Sequence, residues 1–211
     1  TVEAVCNPGS LLLANTYYWR VDEVNEAESP SLWQGPVWNF ATSPFLVVED
    51  FESYTDDEGS RIYETWIDGW DIPANGSQVG YGEAPFAERN TVHGGRQSMP
   101  LSYDNTTASY SEAEYAFNAP QDWTLYGVKN LSLWFYGPAE NTAGQLYLKI
   151  NGKKVLYPGA ADNVKAAQWT QWTVDLASLG VSLKSVKTLA IGVEGPGAVG
   201  TLFIDDIQLI P

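Results

Sequence analysis

One cysteine, one histidine and one methionine occur in 211 residues, and 11 lysines and arginines face 26 aspartates and glutamates. Each scarcity excludes something. Cys6 has no intrachain partner, so it pairs with another chain or stays free. A catalytic apparatus built on several histidines is out of reach, because His93 is the only imidazole. A net charge of −15 argues against nucleic acid, whose binders draw much of their affinity from basic residues meeting phosphates. It argues equally against anionic membranes and strongly anionic polysaccharides. No run of roughly 18 apolar residues exists, so no transmembrane helix is expected. Helical patterning is nearly absent too, since glycine or proline interrupts every candidate amphipathic stripe. The sequence opens at Thr1 without an initiator methionine, as a processed mature chain or a trimmed fragment would.

What the chain does have is aromatic and turn residues: 9 Trp, 12 Tyr and 7 Phe, with 19 Gly and 12 Pro. That combination favours β-structure. Short alternating runs predict strands at 46–51, 97–103, 112–117, 130–136, 145–150, 153–157, 171–176, 188–193 and 200–209. Asn151-Gly152 marks a hairpin between two of them. Residues 54–96 are Gly-rich, acidic and aromatic, and read as long loops with one or two short strands. Ser43-Pro44 marks a boundary. Before it, Tyr17, Trp19 and Val21 alternate with Tyr18, Arg20 and Asp22, and Val37 to Thr42 forms another strand.

Asn15-Thr16-Tyr17-Tyr18-Trp19-Arg20-Val21 with Gly35-Pro36-Val37-Trp38-Asn39-Phe40-Ala41-Thr42 resembles the last strands of a fibronectin type III domain. Half a sandwich cannot bury both sheet faces. The segment 1–44 is therefore poorly folded, packed on the domain C-terminal to it, or completed by another molecule. Val48-Glu49-Asp50-Phe51-Glu52, Trp172-Thr173-Val174-Asp175-Leu176 and Leu202-Phe203-Ile204-Asp205-Asp206-Ile207-Gln208-Leu209 resemble galactose-binding-like jelly rolls. Many carbohydrate-binding modules of secreted bacterial proteins are of this kind. The expected fold is all-β: a two-sheet jelly-roll β-sandwich over 45–211, preceded by a partial fibronectin type III-like β segment over 1–44.

The closing strand breaks parity. Leu202 and Ile204 are even-numbered, whereas Ile207 and Leu209 are odd, and a regular strand cannot turn all four inward. A β-bulge at Asp205-Asp206 would restore the register and set two carboxylates at an irregular site. The resemblance implies a structural calcium ion there, held by Glu52 and Asp206, with Glu49, Asp50 and Asp205 behind them. It also implies backbone carbonyls around His93, Gly94 and Gly95. Calcium suits an oxygen-rich, flexible ligand set. Solvated edge charges are the alternative. Asp56-Asp57-Glu58-Gly59 lacks the ligand spacing of an EF-hand loop and reads as a solvated turn.

In the strand 130–136, Leu131, Leu133 and Phe135 share one face, and Trp134 and Tyr136 the other. In 145–150, Tyr147 alternates with Leu146 and Leu148. Trp134, Tyr136 and Tyr147 could then line the outer face of one sheet and stack on sugar rings. Alternatively, a loop from 54–96 covers them as a second small core. Trp66 and Trp70, flanking Asp68-Gly69, are a second candidate pair for a sugar. They are equally suited to pinning a loop. Trp123, Trp169 and Trp172 read as structural. No glycosidase strand motif, Gly-x-Ser-x-Gly elbow or phosphate loop is present, so no enzymatic activity is expected.

The expected function is non-catalytic binding of a neutral polysaccharide by an extracellular, secreted bacterial protein. The alternative is a self-assembling structural subunit of a fibre or surface layer, a homo-oligomer joined by strand complementation through residues 1–44. Leu11-Leu12-Leu13 would favour burial against a neighbour in that case.

Overall fold

A computed structural model of the chain describes residues 5–70 and 72–211. Fifteen strands dominate it. The first four form a narrow ribbon: β1 (Thr16–Trp19), β2 (Glu23–Val24), β3 (Leu32–Trp33) and β4 (Trp38–Ala41). Strand β1 pairs with β4, and β2 with β3, both antiparallel. The others are β5 (Leu46–Glu49), β6 (Trp66–Ile67), β7 (Ser77–Val79), β8 (Met99–Asp104), β9 (Ser111–Gln121), β10 (Asn130–Tyr136), β11 (Gln145–Ile150), β12 (Lys153–Leu156), β13 (Thr170–Asp175), β14 (Val186–Glu194) and β15 (Val199–Ile210). The only α-helix among the described residues is the single turn Ile62–Thr65, and none of their helices is long and apolar enough to cross a membrane.

The strands β5 to β15 build two antiparallel sheets. One runs β13-β10-β15-β8-β7 with β5 also on β15, and the other runs β12-β11-β14-β9-β6. Period-2 alternation fills the space between them. Leu131, Leu133 and Phe135 from β10 meet Leu146, Leu148 and Ile150 from β11 and Leu189, Ile191 and Val193 from β14 in one core. The predicted strands are all present, with ends displaced by a few residues. Residues 54–96 contribute β6 and β7 as short edge strands. Trp123 and Trp172 are buried core residues, as their structural reading required.

The predicted bulge organises the first sheet. Leu202, Ile204, Ile207 and Leu209 all face the core, and the register against β10 slips between Ser132 and Trp134. Asp206 takes the left-handed conformation (φ 47°), which aspartate tolerates better than most residues. At this point β15 also exchanges a neighbour. Val199–Ile204 pair with β8, while Ile207–Leu209 pair with β5.

Leu13 is buried, and its N–H donates to the Tyr126 carbonyl at 3.0 Å. Leu13 of the leucine run thus meets its own sandwich, while Leu12 stays half exposed. Deleting Asp206 is expected to throw Ile207 and Leu209 onto the outer face. Exposing two such side chains costs about 3–6 kcal/mol, and chemical denaturation should show the loss.

Candidate functional site

Three places gather the side chains singled out by the sequence. The first is the bulge. The Asp205 carboxylate is fully buried. Its Oδ2 accepts the N–H groups of His93 (2.8 Å) and Gly94 (3.1 Å), and its Oδ1 accepts that of Asp206 (2.9 Å). Burial pushes this carboxyl up to about 6, against the opposing pull of those N–H groups. Glu52 accepts the N–H of Arg96 (2.6 Å) and of Gln97 (3.0 Å) on Oε1, and the Arg96 side chain (2.9 Å) on Oε2. Burial raises its pKa, but these donors outweigh burial and leave it below the usual carboxylate range. Asp206 Oδ2 lies 2.6 Å from His93 Nδ1.

The residues named for calcium therefore divide. Glu49 is turned inward, accepting from Phe51 N–H and Tyr54 O–H, and burial raises its pKa. Asp205 is taken up by backbone N–H groups, and Asp50 accepts the Glu52 N–H at 3.1 Å. Glu49 and Asp205 therefore spend their oxygens on donors of the fold, as Glu52 does. Among the described residues, no three His, Cys, Asp or Glu side chains form a metal-ligand cluster. Glu52 and Asp206 nevertheless grip one turn from two sides. A Cβ on Gly94 would stand 2.5 Å from Asp206 Oδ2, and one on Gly95 2.4 Å from Glu52 Oε1. A hard cation at this turn would have to share Glu52 with Arg96 and Gln97 and Asp206 with His93, and would need further oxygens to complete its shell.

The second place is the outer face of the first sheet, with Trp134 and Tyr136. It is covered. The His93 ring stacks on Trp134 with centroids 3.9 Å apart, and Trp169 lies against both His93 and Tyr136. The cover is shared: His93 comes from 54–96, one of the two readings open in the sequence, but Trp169 comes from the loop before β13, and Trp134 and Tyr136 stay half-buried. Tyr147 does not join these rings. Strand β11 belongs to the other sheet, and Tyr147 is buried there beneath Lys154, whose ammonium sits 4.1 Å from the ring centroid. A shared platform of Trp134, Tyr136 and Tyr147 is therefore corrected: alternation placed each ring on an outer face, but pairing put them in different sheets.

The third place is an open groove of about 450 Å³ between the edge strands β6 and β7. Trp66 is not part of it. That ring is fully buried against Phe51 and Tyr115, which corrects its assignment to a ligand. Trp70, four residues on, is 78% exposed and forms one wall. Asp68 sets the turn between them: its Oδ1 accepts the Trp70 N–H (2.9 Å) and its Oδ2 the Val79 N–H (2.7 Å). Tyr63, Phe86 and Tyr81 supply further aromatic surface, and Gln78 a polar side chain. Tyr63 and Phe86 meet edge to face at 5.2 Å, and the Arg61 guanidinium lies 5.2 Å from the Phe86 centroid. Tyr81 is anchored by its hydroxyl on Glu88 and by its N–H on the Phe86 carbonyl. Tyr63, Tyr81 and Phe86 were missed in the sequence. Their only signal was the aromatic density of a stretch too irregular to align by periodicity.

Asp205→Asn is expected to set an amide N–H against one of the three backbone donors at the bulge. Leaving a buried donor unpaired costs about 1–3 kcal/mol, measurable by urea unfolding.

No protein-family model matches the chain, and no curated protein does. Among solved structures, the agarase AgWH50C superposes with a TM-score of 0.57 at 10% identity, covering 80% of this chain and 24% of that one. An exo-beta-agarase superposes with a TM-score of 0.53 at 14% identity, covering 80% and 25%. The family 11 carbohydrate-binding module of the cellulosomal cellulase Lic26A-Cel5E of Clostridium thermocellum gives 0.46 at 15% identity, over 79% of this chain and 94% of that one. The chain spans about a quarter of each agarase. The architecture is an all-β two-sheet sandwich, a fold shared with part of each agarase.

Proposed function

We propose that the chain is a non-catalytic carbohydrate-binding β-sandwich of a secreted, extracellular protein, and that it holds a neutral glycan in the Trp70 groove. The observation that carries this reading is the groove itself: a concave, aromatic-walled site with few polar groups, open at the sandwich edge. The exposed faces of Trp70 and Tyr81 match the C–H faces of sugar rings, and Gln78 offers hydroxyl groups a hydrogen-bonding partner. The overall acidity favours an uncharged ligand.

Hydrolysis of a glycosidic bond by the usual route needs two carboxylates facing the scissile bond. Asp68 is the one carboxylate among the described residues lining the groove, and both of its oxygens accept backbone N–H groups.

Agarose, xylan and mixed-linked β-1,3-1,4-glucan are natural probes, since solved structures of similar fold are an agarase, a xylan-binding domain and a module in complex with a β-1,3-1,4-mixed-linked tetrasaccharide. Retardation in affinity gels by at least one of them is expected. Trp70→Ala should weaken that binding roughly tenfold or more, as for an anchoring aromatic. Its exposed position implies a stability change within about 0.5 kcal/mol of zero. No retardation by any neutral polysaccharide would overturn the reading.

Calcium belongs to the same proposal as a structural ion. Glu52 and Asp206 would hold it at the Gly94-Gly95 turn, where it would offset the carboxylate charge and tie β5 to β15. Calcium is expected to raise the melting temperature, and chelation to lower it. Glu52→Gln with Asp206→Asn should abolish the difference. A melting temperature indifferent to calcium would exclude the ion.

A further inference from the structure

At about 450 Å³, the Trp70 groove has the size of a small-molecule site, shorter than any polysaccharide. It opens at the edge that the two sheets share, between β6 and β7. A chain that continues along the protein therefore crosses the outer face of one sheet or of the other. The two faces differ in chemistry.

On the first sheet, register sets Gln78 of β7 opposite Ser102 of β8, and Ser102 opposite Thr201 of β15. Their strand neighbours Val79, Leu101 and Leu202 are buried in the core, so alternation sends the three polar side chains to the outer face. All three are partly exposed. The Ser102 and Thr201 hydroxyls meet at 3.1 Å, as residues on one face do. A hydroxyl has one donor and two acceptor sites, so this single contact leaves capacity for a ligand. Gln78 itself lines the groove. Adjacent strands lie about 4.8 Å apart, so the three groups form a line about 10 Å long. Their spacing is close to that of successive pyranose units in an extended chain. On one side of the line, Pro100 and Phe203 are buried. On the other, the Asp104 carboxylate is committed to the N–H and the hydroxyl of Thr106.

The second sheet offers a charged row instead. Ile67 of β6 stands opposite Glu114 of β9, Glu114 opposite Ala190 of β14, and Ala190 opposite Lys149 of β11. Glu114 is exposed, and Lys149 is paired with Glu112 at 2.6 Å. A neutral chain crossing there would take these charges out of water without neutralising them. The hydroxyl row carries no such penalty.

We propose that Gln78, Ser102 and Thr201 extend the Trp70 groove across the first sheet, and that successive units of a neutral polysaccharide hydrogen-bond to them through their hydroxyl groups. The inference rests on the glycan reading of the groove and adds a direction and a length to it. The ligand is an extended stretch of chain crossing β7, β8 and β15, bound over several units.

The test is titration calorimetry with disaccharides and hexasaccharides of agarose, xylan and mixed-linked β-1,3-1,4-glucan. For the glycan that binds, the hexasaccharide is expected to bind roughly tenfold tighter than the disaccharide. Ser102→Ala with Thr201→Val should erase most of that gain and leave the disaccharide unchanged. Trp70→Ala should weaken both. Removing the two hydroxyls together leaves neither without its partner, so the melting temperature should hold. Ser102→Ala alone should give a smaller loss in the same direction. Equal affinity for the two lengths, a gain that survives the double substitution, or an equal weakening of both lengths would overturn the extension. With Trp70→Ala still weakening binding, each of these results leaves the groove reading standing. Binding indifferent to Trp70→Ala, or no binding by any of the glycans, would overturn the groove reading and the extension with it.

Discussion

A buried carboxylate at a β-bulge organises the sandwich. Asp205 gathers three backbone N–H groups at the point where β15 leaves β8 and takes up β5. An irregular backbone inside a protein must find partners for its polar groups, and this side chain supplies them. The bulge in turn keeps Leu202, Ile204, Ile207 and Leu209 in one core despite their opposite parity. Holding His93 and Gly94 by their N–H groups also fixes the turn over the first sheet, and the His93 ring lands on Trp134. One polar contact thus sets a register, a strand exchange and the closure of an aromatic surface.

That closure distinguishes the two aromatic surfaces of the sandwich. Trp134 and Tyr136 sit mid-sheet, where a tethered loop can lie across them. Trp70 and Tyr81 sit at the edge, on segments leading out of β6 and into the loop after β7, where no third layer stands. Asp68 holds Trp70 outward by occupying the backbone of the turn while the ring stays exposed. The edge of the sandwich is therefore where an aromatic groove remains open to a ligand. Its single described carboxylate is consumed by the turn.

The ribbon is layered differently. The two sheets of the sandwich cover each other, and their inward faces vanish from solvent. The ribbon has one layer. Its strands satisfy each other's hydrogen bonds and the segment before β1 reaches the sandwich at Tyr126 and Gly127, yet Trp19 and Trp38 stay half exposed. Backbone pairing and side-chain burial are separate requirements, and here only the first is met within the described chain.

Local pattern in the sequence was enough for much of this. Alternation over Asn130–Tyr136 and Gln145–Ile150 defined both strands to the residue. Asn151-Gly152 located the hairpin that leads from β11 into β12, and the parity of Leu202 to Leu209 required a bulge before any contact was known. Those features depend on a side-chain period of two, which is written in the chain. The partners of a strand are not. Trp134 and Tyr147 have the same local pattern yet lie in different sheets, and Trp66 and Trp70 share one turn yet end at 0% and 78% exposure. Only the tertiary structure decided which aromatic is core, which is covered and which stays open, because long-range pairing decides what stands above each ring.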